Sequence, residues 1–181
     1  MADIMAPTTE IEAVNAMIRT IGMSPATSLD VADVDVQQAV DTLRDISRQV
    51  QSAGWDFNTE KDYSLSPNAD NFIVIPPNIV TVEVRKCEMD VVQRGNRLYD
   101  RKAHSFEFQT TLKAKVVMMF AFEELPQVAR SYVAVRAARV FQDNAEGLAD
   151  AHTYSAQDEM AAWVALQNYE AETGDYHFKS H

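Results

Sequence analysis

The chain has 181 residues, of which 46% are hydrophobic and 24% charged, and its net charge is −11 at pH 7. This composition fits a globular domain with a sizeable core and excludes a disordered chain. The excess of acid argues against a protein that grips nucleic acid phosphates over a broad surface, and no apolar run is long enough to predict a membrane-spanning helix.

The first helix is predicted at about residues 10–21. Thr9 and Glu12 have the spacing of a capping box, and apolar residues at helical spacing follow as far as Gly22, which ends the helix. The segment before them has no basic stretch followed by an apolar one. We therefore expect no secretory signal and a protein that is made and folds in a cytoplasm.

A second amphipathic helix follows after a loop that contains proline. Asp33 or Asp35 caps it, an apolar stripe runs from Val36 to Val50, and Gly54 ends it. Two amphipathic helices joined by a loop that contains proline are expected to pack as an antiparallel pair.

From Trp55 to about Phe122 the hydrophobic pattern has the period of two that is typical of β-strands. Apolar side chains alternate or cluster at Trp55 and Phe57, Tyr63 and Leu65, Phe72–Ile75, Val80, Val82 and Val84, Val91–Val92, and Phe106 and Phe108. Gly95 and Asn96 lie between two such runs and indicate a tight hairpin turn, because such turns need a positive φ. Several short antiparallel strands are expected.

Two more helices are predicted at the C-terminal side. Leu125–Pro126 opens the third, since proline is tolerated in a first helical turn, and Gly147 is a plausible break. The fourth begins either near Leu148 or at a Ser155–Asp158 cap, and Gly174 ends it. Its stripe of Met160 and Trp163 is interpreted as bundle core.

The element order predicts an α+β fold. Two N-terminal and two C-terminal helices form an antiparallel helical bundle, and a small antiparallel β subdomain is inserted between them. We expect one domain over residues 1–181, helical over 9–54 and 125–174, with the β insertion at 55–122.

Charge is distributed unevenly along the chain. Between Gln142 and Phe178 there are eight carboxylates and no lysine or arginine: Asp143, Glu146, Asp150, Asp158, Glu159, Glu170, Glu172 and Asp175. Between Arg85 and Lys115 there are eight basic residues: Arg85, Lys86, Arg94, Arg97, Arg101, Lys102, Lys113 and Lys115. These are either two solvated faces or two complementary surfaces that meet head to tail between subunits.

The sequence predicts no metal, cofactor or catalytic site. The four histidines are scattered: His104, His152, His177 and His181. With one cysteine, Cys87, neither a disulfide nor a cysteine zinc site forms within the chain. The glycines lie too far apart for a phosphate loop. Adjacent carboxylates on a helix, such as Asp158–Glu159, point in different directions, and Glu123–Glu124 lie just before a helix start, where the helix dipole accounts for their charge.

Two clusters are candidate interaction sites. The first is a hairpin in which cations surround a tyrosine: Arg94, Gly95, Asn96, Arg97, Tyr99 and Arg101. It is a nucleic acid hairpin, a solvated tip or a docking loop for a protein partner, and the net charge favours the last two. The second is an acidic lumen or interface: Asp143, Glu146, Asp150, Asp158 and Glu159.

Five segments, in order and at suitable spacing, resemble the tail tubular protein A family of short-tailed phages. They are Glu12–Gly22 with Ser24–Pro25, Gly54–Glu60, Arg94–Asp100, Phe122–Pro126 and Arg136–Gln142. The resemblance covers nearly the whole chain.

That resemblance implies a structural protein of the virion tail with no active site. Family members form a dodecameric ring that joins the portal protein to the tail nozzle (tubular protein B) and holds tail fibres, and DNA passes through the ring without specific binding. An acidic lumen would repel phosphate and let the duplex slide. The alternatives are a tail protein that degrades polysaccharide, like a glycoside hydrolase, and a small regulator that binds DNA.

Overall fold

The computed structural model describes residues 7–85, 89–144 and 154–178, with side chains of the last helix described as far as Thr173. In chain order the helices and strands are α1 (Glu10–Thr20), α2 (Val34–Gln51), β1 (Thr59–Leu65), β2 (Ile79–Val84), β3 (Val91–Arg94), β4 (Arg97–Asp100), β5 (Leu112–Met118), α3 (Gln127–Asn144) and α4 (Ala156–Phe178).

The chain divides into two compact units. The helical unit takes its described residues from Met1–Val50 and Ala121–His181, and the β unit is Gln51–Phe120. Helices at both ends of the chain thus bracket antiparallel strands, which confirms the predicted α+β fold class. That the chain works as one adaptor domain stays a prediction.

Helices α1 and α2 begin at side-chain caps. Thr9 Oγ1 accepts a bond from the Glu12 N–H at 3.3 Å, and the Glu12 carboxylate accepts one from the Thr9 N–H at 2.9 Å, so the predicted capping box is present. Asp33, rather than Asp35, caps α2, because its carboxylate accepts from the Val36 N–H at 3.3 Å. Each helix then buries one apolar face: Ala13, Val14, Met17 and Ile18 on α1, and Val36, Ala39, Val40, Leu43, Ile46 and Val50 on α2.

Helices α3 and α4 pack antiparallel. Arg139 of α3 lies 2.7 Å from Glu159 of α4, and the rings of Tyr132 and Trp163 are 5.1 Å apart. Moving toward the C-terminus on α4 therefore means moving toward the N-terminus on α3. Helix α3 also packs against α1.

The two ends of α4 test two sequence predictions. Of the two predicted starts, the Ser155–Asp158 cap is the one present: the Asp158 N–H donates to Ser155 Oγ at 3.2 Å, and the Ser155 N–H donates to the Asp158 carboxylate at 2.8 Å. The prediction that Gly174 ends α4 is wrong, since the helix continues to Phe178. Glycine costs a helix about 1 kcal/mol relative to alanine, and no proline follows to enforce a stop. The predicted break at Gly147 lies outside the described residues.

The β unit contains a three-stranded antiparallel sheet with β5 at its centre, between β1 and β2. Strand β5 buries Leu112, Ala114 and Val116 and exposes Lys113 and Lys115, which is the alternation of a strand with one face on a core. The buried residues around it form one hydrophobic cluster with side chains from the loops and the hairpin: Leu65, Ile73, Ile75, Ile79, Leu98 and Phe108.

Three runs predicted as strands are not strands in the described β unit. Trp55 precedes a single 3₁₀ turn, Asp56–Asn58, and Phe57 lies within it. The runs Phe72–Ile75 and Phe106–Phe108 lie in loops that make only isolated bridges. Phe108 is nevertheless buried, and its N–H donates to the Asn71 carbonyl at 2.8 Å. The alternating pattern of the sequence thus predicted the burial of Phe108 correctly but not its secondary structure, because a loop can bury apolar side chains without joining a β-ladder.

A buried polar clamp joins the two ends of the β unit. The Gln51 side chain donates to the Phe120 carbonyl at 3.1 Å and accepts from the Phe120 N–H at 2.8 Å. Asn58 donates to the Gln51 and Met118 carbonyls, both at 2.8 Å, and accepts from the Trp55 N–H at 2.8 Å. Both side chains are 2% exposed, so these bonds are made where water cannot replace them.

Gly54 is held in a conformation that an L-residue resists. Its φ is +77°, and an added Cβ would lie 3.0 Å from Val117 Cγ2. We expect Gly54→Ala to lower the free energy of unfolding of the β unit by about 2 kcal/mol, through backbone strain plus the contact. Denaturation followed by Trp55 fluorescence in a Trp163→Phe background measures this unit.

The matched control is Gly95→Ala in the same unit. Gly95 has a φ of +63° but nothing within 4 Å of an added Cβ, so it isolates the strain of about 1 kcal/mol. Equal losses at the two positions would contradict a contribution from the Val117 contact.

Candidate functional site

The predicted hairpin is present, and we call Val91–Asp100 the arginine hairpin. Strands β3 and β4 pair from Val91↔Asp100 to Arg94↔Arg97, which leaves Gly95 and Asn96 as a two-residue loop. Only Gly95 has a positive φ, +63°, which is the pattern of a type II′ turn. Arg94 and Arg97 are therefore direct cross-strand neighbours on one face of the hairpin.

The inner face of the arginine hairpin is anchored to the core of the β unit. Leu98 is 1% exposed, its N–H donates to the Ile73 carbonyl at 3.1 Å, and the Ile75 N–H donates to the Asn96 carbonyl at 2.8 Å. These bonds hold the hairpin on a chain segment that the sequence had indicated as a strand. The hairpin is consequently a fixed platform.

Asp100 fixes the turn that follows β4. Burial alone would raise the pKa of this carboxyl group, but N–H groups of Lys102, Ala103 and Asp90 bond to it and together lower its pKa. The bond from the Lys102 N–H is 2.8 Å long. A carboxylate held by backbone donors stays ionised and orders the chain around it.

The outer face carries two arginines stacked on aromatic rings. The Arg94 guanidinium lies 3.7 Å from the centre of the Tyr99 ring. The Arg97 guanidinium lies 4.9 Å from the Phe72 ring centre and 5.4 Å from that of Phe106. The Tyr99 and Phe106 rings meet edge to face at 4.8 Å, so the rings form one continuous support.

The arginines of this region differ in their partners. Arg101 pairs with Asp90 at 2.7 Å, and Arg85 pairs with Asp62 at 3.0 Å. In the part of the chain that the structure describes, neither Arg94 nor Arg97 has a carboxylate partner. Sequence reasoning grouped Arg94, Arg97 and Arg101 as equivalent cations, but Arg101 already has a carboxylate and the other two do not.

The predicted acidic cluster is not one surface of equivalent carboxylates. Asp143 is exposed near the end of α3, whereas Asp158 is bonded within the α4 cap. Glu159 lies 2.7 Å from Arg139 and 3.7 Å from Arg136, with its side chain 19% exposed. Glu146 and Asp150 lie outside the described residues. A lumen role for this cluster stays a prediction.

Neutralising Glu159 tests its role within the chain. We expect Glu159→Gln to lower the free energy of unfolding of the helical unit by about 1–2 kcal/mol, between the values for exposed and buried ion pairs, because the partners are partly buried. Far-UV circular dichroism during denaturation measures the loss. The control, Asp41→Asn, neutralises an exposed carboxylate of α2 in the same unit and is expected to change stability by less than about 0.5 kcal/mol. Equal effects would contradict a pairing role.

Helix α4 leaves apolar side chains exposed, contrary to the sequence interpretation. Leu166 is fully buried, but Met160 is 61% and Val164 44% exposed. Polar and apolar side chains are mixed around this helix without one clear apolar stripe, so periodicity did not distinguish the covered face from the open one.

Other kinds of site have little support in the described residues. Among residues 7–85, 89–144 and 154–178, no three histidine, cysteine or acidic side chains are grouped so as to hold a metal ion. Within the same ranges, no helix has the length and apolar character needed to cross a bilayer.

Comparison with known proteins gives a match over nearly the whole chain. The model of a family described as "Tube: Tail tubular protein" matches residues 11–176. The chain is also similar to the tail tubular protein A of Klebsiella phage KP34, with 26% identity over 161 residues, covering 88% of this chain and 86% of that protein. The matched range includes the whole β unit and most of the helical unit.

Proposed function

The chain belongs to the tail tubular protein family, and on that premise we propose that it is the adaptor that forms a ring between the portal and the tail nozzle of a phage virion. The observation that carries this proposal is the family match over residues 11–176, which covers the β unit and most of the helical unit. The ring has the expected dodecameric closure, and DNA passes through it during ejection.

The distribution of charge supports a role in assembly around a conduit. A net charge of −11 opposes tight binding to a polyanion, so a duplex inside the ring would meet repulsion rather than adhesion. Of the predicted acidic cluster, Asp143 and Asp158 are exposed in the described chain, with Asp158 bonded within the α4 cap, and Glu159 pairs with Arg136 and Arg139. The exposed Asp143 and Asp158 are therefore better candidates for a channel-lining position than the partly buried Glu159.

The arginine hairpin supports docking to a protein. It presents two cations on a rigid aromatic support, and arginine and tyrosine are residues that recur at the centres of protein interfaces. Portal, nozzle, tail fibres and a second copy of the chain are the partners that an adaptor would meet.

Electron microscopy of the purified protein mixed with its portal tests the proposal. We expect rings seated on the portal, and mass photometry should detect the same complex in solution. A protein that never joins the portal, yet releases reducing sugar from purified capsular polysaccharide, would overturn the adaptor function in favour of the hydrolase alternative.

A further inference from the structure

We propose that Arg94 and Arg97 of one copy form the subunit contact by binding Glu172 on α4 of the next copy. This inference rests on the proposed ring and names the surfaces that join its subunits. It follows from three features: the cost of the arginine pair, its preorganisation, and the charge of the helix that would receive it.

The opposed pair of arginines destabilises the hairpin, and the turn itself does not require two cations. Arg94 and Arg97 are directly opposed across the ladder, which brings their Cβ atoms to about 5 Å, and like charges in that position are destabilising. A tip made of any two polar residues would close the same two-residue turn. An anion from outside the described chain would bind both cations, and this accounts for their opposed positions.

Stacking prepares both guanidiniums to bind that anion. The Tyr99, Phe72 and Phe106 rings hold the guanidinium groups in place, and a stacked guanidinium still has its N–H donors along its edges. A carboxylate accepts two such bonds in parallel, which gives strong and oriented recognition. Little conformational freedom remains to be lost on binding.

The same stacking favours a protein carboxylate over nucleic acid. Single strands are commonly held by bases that stack on exposed aromatic faces, but here guanidiniums lie over the rings. A chain of net charge −11 also repels a polyanion at long range.

Helix α4 offers the complementary charge. The segment from Gln142 to Phe178 has no lysine or arginine, so it has no cation of its own to neutralise its carboxylates. Within the described part of this segment, Asp158 is bonded in the cap and Glu159 pairs with α3. Glu172 is exposed and has no ion pair or hydrogen bond to another described residue.

A contact between these two surfaces is head to tail. The hairpin of one copy uses a different surface from the helix that it meets, so each copy retains one free surface of each kind. Such a contact continues from copy to copy and closes a ring when the rotation permits. An isologous dimer would leave no surfaces for further subunits.

Charge reversal with rescue tests the contact. Arg94→Glu/Arg97→Glu and Glu172→Arg each place like charges at the contact, and we expect each to weaken self-association, measured by mass photometry with and without portal, by about 30-fold or more. An equimolar mixture of the two variants restores opposite charges at every contact. We expect this mixture to recover assembly.

The matched control is Lys113→Glu/Lys115→Glu, which makes the same change in net charge at exposed positions of β5. It is expected to assemble like the wild type, and melting temperatures establish that each variant is folded. If the reversed arginine pair fails to fold, Arg94→Lys/Arg97→Lys keeps the charge, loses the planar stacked fork, and is expected to weaken association roughly tenfold.

Several results would overturn the inference while leaving the adaptor function intact. They are wild-type assembly by Arg94→Glu/Arg97→Glu, equal loss in the Lys113→Glu/Lys115→Glu control, or no recovery in the mixture. Loss of duplex DNA binding with unchanged assembly in Arg94→Glu/Arg97→Glu would assign the hairpin to nucleic acid instead. A wild-type chain that forms no ring even with portal would overturn the adaptor function and this contact together.

Discussion

Replacing Asn58 with alanine is expected to lower the free energy of unfolding of the β unit by about 3 kcal/mol. The substitution removes one acceptor and two donated bonds, so the Trp55 N–H and the Gln51 and Met118 carbonyls each lose a partner. Each lost bond of this kind costs about 1 kcal/mol or more when the group left behind is buried. Asn58 is 2% exposed, so water cannot readily take its place.

The measurement uses the tryptophan of the β unit. In a Trp163→Phe background, Trp55 fluorescence during denaturation reports unfolding of this unit separately from the helical one. Asn78→Ala is the matched control, because Asn78 is exposed and its side chain makes no hydrogen bond to another described residue. A loss below about 0.5 kcal/mol for Asn58→Ala, as expected for the control, would contradict the structural role of the clamp.

Leu98→Ala is expected to destabilise the β unit by about 3 kcal/mol, through lost burial and the cavity that remains. Leu98 is 1% exposed and lies on the inner face of the arginine hairpin, within the hydrophobic cluster that includes Ile73 and Phe108. Since the same strand presents Arg97 and Tyr99, we expect amide hydrogen exchange in β3 and β4 to accelerate as well.

The control for Leu98→Ala is Val80→Ala, which removes apolar atoms from a side chain that is 40% exposed in the same unit. Its expected cost is below about 1 kcal/mol. If Leu98→Ala slowed or left unchanged the exchange of the hairpin amides, the hairpin would not depend on this anchor for its order.

The sequence predicted the elements whose signals are local. The Thr9 capping box, the turn at Gly95 and the proline before α3 depend on residues within a few positions of one another, and each is present. The misses have a common cause. The run at Phe106 alternates like a strand, but long-range packing decides whether a segment joins a sheet, and here it forms only isolated bridges. Gly174 does not end α4, because a single glycine without a following proline is too weak a breaker.

Amino-acid order alone determined the α+β class, the arrangement of helices around a β insertion, the separation of charge along the chain and the resemblance to tail tubular proteins. Only the tertiary structure distinguished among charges of the same sign. It paired Arg101 with Asp90 and Glu159 with Arg139 of α3. It placed Arg94 and Arg97 over aromatic rings, and neither has a carboxylate partner among the described residues. The physical reason is that a charge is neutralised by whatever folding brings within about 4 Å of it, and sequence separation does not reveal that distance.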